Sequence, residues 1–146
     1  MDLLGEDPAL SLNDEEWRIY SRHDAHSPQF VGPDALVDNS SVTEGCDIYG
    51  TVRNSVLGAG VVVMKGAEVS NSVIMDGVVI EENTKINYAI VDTGCQIGKN
   101  CQIGKEQKKA KGITVIGEKI AIPAGTEIGD NEMISELADI KVKEEA

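Results

Sequence analysis

Branched aliphatic residues recur every seventeen positions through the middle of this chain, between Val42 and Gly104. Each round divides into blocks of six, six and five residues, and each block opens with a Leu, Val or Ile. The openers of three successive rounds are Leu57, Val63 and Val69, then Ile74, Ile80 and Ile86, then Val91, Ile97 and Ile103. A fixed period of this length is typical of a solenoid, in which each round is one coil stacked on the last.

Each coil is predicted to have three sides, because each block supplies one short strand. A small or apolar residue lies two positions before each opener, and residues two apart on a strand share a face. These inner small positions are Val61, Ala67, Val78, Thr84, Cys95 and Cys101. The openers should therefore stack in columns along the axis at about 4.8 Å per coil, the usual strand spacing. One such column is predicted to run Val42, Leu57, Ile74, Val91, Ile116.

The repeat divides the chain into an arm at 1–30, a β-solenoid at 31–129 and a cap with a tail at 130–146. Counting in both directions gives about five coils, one of them shortened where Tyr49-Gly50-Thr51 replaces a full block. At the far end, Met133, Leu137 and Ile140 are spaced i, i+4, i+7. This spacing predicts a short amphipathic helix over the last coil, with residues 141–146 as a frayed tail.

The arm does not carry the repeat. Most of the large apolar side chains of the arm are those of Trp17, Ile19, Tyr20 and Phe30. We expect them to cover the first coil or to pack on another domain, because an open coil exposes strand edges and aliphatic side chains.

Asparagines recur at one corner of the solenoid, at Asn39, Asn54 and Asn71. Asparagine tolerates the left-handed backbone conformation that a tight turn requires, so these residues are predicted to form turns. Their amides could also bond to one another along the stack, and the alternative to this structural role is ligand binding.

Residues 104–115 interrupt the period with a polar run. Such a run cannot lie in an aliphatic axis, so we predict a loop that bulges out between two coils. The loop carries four lysines, Lys105, Lys108, Lys109 and Lys111. On a chain this acidic they are either a solvated surface or a contact for an anionic metabolite.

Composition excludes several classes of function. The net charge of −12, from 25 acidic and 13 basic residues, argues against nucleic acid as a partner. The sequence shows neither an apolar run long enough to span a bilayer nor a signal peptide, so the expected location is the cytoplasm. Cys46 and Cys95 should lie three coils apart, about 14 Å, which is too far for a disulfide. Reduced, packing cysteines are expected.

No catalytic, cofactor-binding or metal-binding residue is predicted. The two histidines, His23 and His26, both lie in the arm. Acyltransferases built on hexapeptide repeats use a histidine as general base, and carbonic anhydrases of this shape need three as zinc ligands. The sequence also has no glycine-rich phosphate loop and no Ser-His-Asp set within the repeat.

Several segments are more specific than the repeating six-residue pattern and carry a resemblance to a known family. They are Ile48 to Leu57 (IYGTVRNSVL), Val69 to Met75 (VSNSVIM), Gly112 to Gly117 (GITVIG), Met1 to Leu4 (MDLL) and Trp17 to Tyr20 (WRIY). Together they resemble the C-terminal domain of bacterial ADP-glucose pyrophosphorylase, also called glucose-1-phosphate adenylyltransferase, and the connection that leads into it.

The resemblance implies a left-handed β-helix, a hand that the period alone does not reveal. It also implies a parent enzyme that uses ATP, Mg²⁺ and glucose 1-phosphate to make ADP-glucose and pyrophosphate for glycogen synthesis. Members of the family form homo- or hetero-tetramers that respond to metabolite effectors, and this domain contributes to both properties. The N-terminal nucleotidyltransferase domain has no counterpart here, so the chain alone is expected to be inactive. Two alternatives are a non-catalytic partner subunit of the same enzyme and a hexapeptide acyltransferase.

Overall fold

The computed structural model describes residues 5–6, 16 and 25–140. From Phe30 to Ile134 the chain winds through six coils of three short strands each. Equivalent strands of successive coils pair in parallel, which builds three six-stranded sheets around one axis. The predicted fold class, an all-β, left-handed parallel β-helix, is confirmed. The prediction of five coils was one too few.

The strands of each sheet follow one another at intervals of three in the chain. Sheet A consists of β1 (Phe30–Val31), β4 (Asp47–Ile48), β7 (Val62–Val63), β10 (Val79–Ile80), β13 (Gln96–Ile97) and β16 (Ala121–Ile122). Sheet B consists of β2 (Leu36–Asp38), β5 (Thr51–Arg53), β8 (Glu68–Ser70), β11 (Lys85–Asn87), β14 (Gln102–Gly104) and β17 (Glu127–Ile128). Sheet C consists of β3 (Ser41–Val42), β6 (Val56–Leu57), β9 (Val73–Ile74), β12 (Ala89–Val91), β15 (Thr114–Ile116) and β18 (Met133–Ile134).

The predicted columns form the core. In sheet C the paired residues run Val42, Leu57, Ile74, Val91, Ile116, as predicted, and Ile134 adds a sixth member. Leu57, Ile74 and Val91 are almost completely buried. Strands only two or three residues long suffice, because one or two inward side chains per strand, together with the small residue before each opener, fill an axis this narrow.

Three of the inner small positions are cysteines whose thiols bond to the next coil. The Sγ atoms of Cys46, Cys95 and Cys101 donate to the carbonyl oxygens of Gly58, Gly117 and Pro123 at 3.1, 2.9 and 3.1 Å. Burial raises the pKa of each thiol, so each thiol stays protonated and can donate its hydrogen bond. All three cysteines are free, in agreement with the packing role predicted for them.

The asparagine corner is confirmed as a turn and forms a hydrogen-bonded ladder. Asn39, Asn54 and Asn71 have positive φ angles of 41°, 47° and 49°. Each Nδ2 donates to the Oδ1 of the next coil: Asn39 to Asn54 at 3.1 Å, Asn54 to Asn71 at 2.7 Å, and Asn71 to Asn87 at 3.3 Å. Asn87 was not predicted as a member, because Tyr88 takes the positive-φ position in that coil.

The C-terminal helix was predicted wrongly. Met133 and Ile134 form β18, with Ile134 buried in the sheet C column and Met133 71% exposed. Within residues 25–140, helical structure is limited to one 3₁₀ turn, Leu137–Asp139, after which Ile140 is buried. Residues 133–134 form a strand rather than a helix because Ile134 extends an existing column and β18 pairs with the edge of β15.

The remaining expectations concern the two ends of the chain. Phe30 was predicted to be the last residue of the arm, but it is the first residue of β1. Its ring contacts the Tyr49 ring at a centroid distance of 5.7 Å. The expectations for Trp17, Ile19 and Tyr20, and for the tail at 141–146, lie outside the described residues.

Ile80 provides a direct test of the register. Its side chain is fully buried, and it pairs with Val63 on one side and Ile97 on the other. We expect Ile80→Asp to lower the free energy of unfolding by several kcal/mol in urea titrations, because it buries a charge without a partner. The matched control is Val79→Asp, whose side chain points outward from the same strand. Equal losses in the two variants would contradict this register.

Candidate functional site: the lysine loop and the outer faces

The lysine loop, residues 105–113, leaves the solenoid between β14 and β15, outside the stack as predicted. It emerges from the corner between sheets B and C, directly beyond the asparagine ladder. Gly104 marks its start with a φ of 71°, and a Cβ at this position would overlap the carbonyl oxygen of Asn87. Only glycine allows the chain to turn this close to the preceding coil.

Asp130, at the corresponding corner of the sixth coil, holds both ends of the loop. Its Oδ1 accepts a hydrogen bond from Lys105 Nζ at 2.6 Å, and its Oδ2 accepts one from the backbone N–H of Lys111 at 2.7 Å. The carboxylate side chain is only 9% exposed. Beside it, the backbone N–H of Asn131 donates to the carbonyl of Gly112 at 3.2 Å. The loop is therefore clamped to the last coil.

These contacts set the charge state of the acidic groups. The hydrogen bond from Lys105, helped by the one from the Lys111 backbone, lowers the pKa of Asp130 to about 2. Lys109 lies 2.7 Å from Glu106 within the loop, and its hydrogen bond lowers the pKa of that carboxyl. Both carboxylates are ionised at neutral pH.

The structure separates the four predicted lysines into two kinds. Lys105 and Lys109 already hold carboxylates. Lys108 and Lys111 make no ion pair with any residue in the described part of the chain, and both side chains lie in an exposed part of the loop.

Sequence reasoning missed Asp130, the residue that organises the loop. The loop breaks the seventeen-residue count, so the positions stacked against it could not be read from the period. Only when the structure places Ile128 and Ile134 in their columns do residues 129–132 fall at the same corner as the asparagine ladder.

Two of the three outer faces of the prism, those of sheets B and C, differ in polarity. In sheet C the outward residues of five successive coils are apolar, and we call this row the sheet C face: Val56, Val73, Ile90, Val115 and Met133. The first four are half-buried and Met133 is exposed. The matching row of sheet B is polar beyond its first strand: Thr51, Glu68, Lys85, Gln102 and Glu127.

The described residues contain no group of three or more His, Cys, Asp or Glu side chains placed to hold a metal ion. His26 lies at the corner between sheets C and A, against Gly45, and His23 is outside the described residues. Within the same described part, no helix is long and apolar enough to cross a membrane.

Comparison with known proteins identifies the family. Residues 30–119 match the model of the family described as GlmU-like, C-terminal hexapeptide. Curated relatives are also similar to this chain. The glucose-1-phosphate adenylyltransferase of Acetivibrio thermocellus is 41% identical over 143 residues, covering 92% of this chain and 34% of the relative. The enzymes of the same name from Clostridium perfringens strain SM101 and Clostridium beijerinckii are 44% and 45% identical, covering 97% and 92% of this chain and 34% of each relative.

The chain thus spans about a third of the length of these relatives, and the matched third is their C-terminal part. Six coils of parallel strands, hexad columns and the family match agree with one another. This chain belongs to the GlmU-like C-terminal hexapeptide family.

Proposed function

We propose that this chain is the C-terminal oligomerisation and regulatory domain of a glucose-1-phosphate adenylyltransferase. The full-length enzyme would use ATP, Mg²⁺ and glucose 1-phosphate to make ADP-glucose and pyrophosphate for glycogen biosynthesis. The observation that carries the proposal is the similarity to enzymes of this name over more than nine-tenths of the chain. Three buried, reduced cysteines fit a cytoplasmic enzyme.

Catalysis is assigned to an N-terminal nucleotidyltransferase domain outside this chain. Phosphoryl chemistry needs Mg²⁺ held by carboxylates and groups that cradle phosphates. The acidic and basic side chains described here are spread over separate corners, and several are already paired with one another. The β-helix would instead position and regulate the catalytic domain.

The sheet C face is the proposed docking surface for that domain. It presents five apolar side chains in a row that rises by about 4.8 Å per coil. Contiguous apolar patches of this kind on a soluble protein mark interaction surfaces. The polar outer row of sheet B has no comparable patch, so it is expected to remain in water.

The open end of the first coil is the proposed contact between subunits of a homo- or hetero-tetramer. Among the strands that the structure describes, β1, β2 and β3 each pair on one side only. The aliphatic and aromatic residues of the first two are between 38% and 49% exposed: Phe30, Val31, Leu36 and Val37. A second subunit would cover these side chains and the strand edges beside them.

The lysine loop is the proposed contact for an anionic metabolite effector. Lys108 and Lys111 would bind phosphate groups directly, since neither pairs with a described carboxylate. Lys105 and Lys109 could join only by leaving Asp130 and Glu106. Effector binding would thereby be coupled to the clamp that holds the loop to the last coil.

A chimera tests the domain assignment. We expect the A. thermocellus relative to keep pyrophosphate release from ATP and glucose 1-phosphate when its C-terminal third is replaced by this chain. The isolated chain should release none. Val73→Lys with Ile90→Lys in the chimera should lower activity by roughly tenfold or more, because two charges would enter the docking surface.

Gln96→Lys is the control for this pair, because Gln96 points outward from sheet A. It should leave the activity of the chimera unchanged. Sustained turnover by the isolated chain, or a chimera that folds but neither docks nor turns over, would refute the assignment.

Calorimetry on the same chimera tests the effector contact, with fructose 1,6-bisphosphate and AMP as probes. Replacing Lys108 and Lys111 together by Ala should weaken binding by roughly tenfold, the loss expected for charged hydrogen bonds to phosphate. Lys99→Ala, on a different corner, is the matched control. Equal affinities for all three proteins would remove the loop from the proposal.

The Asp130 clamp predicts a pH dependence. The pKa of Asp130 is about 2, below its ordinary value of 3.8, so the clamp stabilises the fold fully above pH 3.8 and is lost as pH falls toward 2. The NMR shift of the Lys111 amide should therefore titrate with a midpoint of about 2. Asp130→Asn should abolish this titration, whereas Glu118→Gln should not change it. A midpoint at the ordinary value would show that no clamp exists.

A further inference from the structure

The second coil lacks the outer part of one corner. In the third coil, the corner between sheets A and B contains four residues, Met64 to Ala67, whereas in the second it contains only Tyr49 and Gly50. Gly50 occupies the same inner position in its coil as Ala67 does in the next coil. The carbonyl of Gly50 accepts a hydrogen bond from the backbone N–H of Leu36, and the carbonyl of Ala67 accepts the equivalent bond from Thr51. The two residues that would form the tip of the turn are missing.

The shortcut depends on glycine. Gly50 is buried, and a Cβ there would overlap the Ala67 carbonyl oxygen and lie 2.7 Å from that of Met64. The chain can cut this corner only because no side chain separates it from the third coil. The missing tip leaves a slot between the turns of the first and third coils. The first and third coils are two strand spacings apart. After subtraction of one van der Waals contact distance, the free height of the slot is roughly 6 Å.

The slot opens on both sides of the corner. On one side it forms a cleft of about 450 Å³ that extends past Asn83 and Thr51, and on the other a cleft of about 380 Å³ that extends past Pro33 and Met64. Tyr49 lines both clefts, and so do Asp34, Lys65 and Glu82. Tyr49 is 41% exposed, and its ring contacts the Phe30 ring at a centroid distance of 5.7 Å and an interplanar angle of 48°.

The charges around the slot balance. Glu82 is bonded to Lys99 at 3.0 Å and Glu68 lies 3.7 Å from Lys85, so these two carboxylates are already neutralised. Asp34 and Lys65 contribute one charge of each sign. Neither a phosphate nor a cationic ligand would gain net attraction here. The polar groups still offer carboxylate acceptors, an ammonium donor and, on Asn83, an amide that does both.

We propose that this slot is a binding site for a single neutral sugar ring, in a place distinct from the lysine loop. A pyranose is thick enough to fill the missing tip, and the exposed part of the Tyr49 ring provides an apolar surface for its C–H groups. Its hydroxyls both donate and accept, which matches the mixture of carboxylate, ammonium and amide groups around the slot.

Saturation-transfer NMR on the 146-residue chain tests this proposal, with glucose and maltose at millimolar concentration as probes. Transfer to the ring C–H protons of the sugar is expected. It should be reduced about three- to tenfold by Tyr49→Ala, because the aromatic surface is lost, and kept by Tyr49→Phe. Met75→Ala is the matched control, since Met75 is also 41% exposed but lies at another corner.

A corner-filled variant gives the sharpest result. Gly50→Ala combined with insertion of Lys-Gly after Tyr49 reproduces the four-residue corner of the third coil and keeps the tyrosine. It should abolish transfer while the amide spectrum of the core strands stays unchanged. Two results would overturn the proposal: transfer that survives in this variant, or inorganic phosphate shifting the Lys65 and Asn83 amides as strongly as glucose does.

Discussion

The fold depends on hydrogen bonds between coils rather than within them. Each strand is two or three residues long and pairs only with its equivalents one coil before and one coil after. A segment this short has no stability alone. The aliphatic columns keep successive coils in register, because a slip of one residue would turn every inward side chain outward. The backbone ladder and the columns therefore stabilise each other and repeat along the axis.

This division leaves the corners free to vary. A corner can lose two residues, as after Tyr49, or gain a loop, as after Gly104, and the strands on either side remain in register. The conditions are local. Glycine is required where the backbone passes close to the next coil, and a residue that tolerates positive φ is required at the turn. Both sites proposed here, the lysine loop and the slot beside Tyr49, are departures from the regular corner.

The outer faces carry a different kind of information. Every sheet buries a column of aliphatic openers, so these columns do not distinguish one side of the prism from another; only the inner small positions differ, with Ser55, Ser72 and Thr114 buried beside sheet C. The outward residues do distinguish the sides. Sheet C presents apolar side chains in five consecutive coils and sheet B presents mostly charged and amide side chains. Electrostatics adds a second distinction, because ion pairs tie neighbouring coils together at the surface, as those of Lys85 with Glu68 and of Lys99 with Glu82 do.

The amino-acid sequence by itself determined the coil, the columns and the inner small positions. Alternation of side chains along a strand and a constant seventeen-residue round are short-range rules, so Leu57, Ile74 and Val91 could be aligned without coordinates. Where the round changes length, those rules stop. The sixth coil, the Asn87 amide and the Asp130 clamp were decided only by the tertiary structure, because each depends on which segments meet after a corner of irregular length. The same holds for the slot beside Tyr49, where the missing residues were visible in the sequence but the space they leave was not.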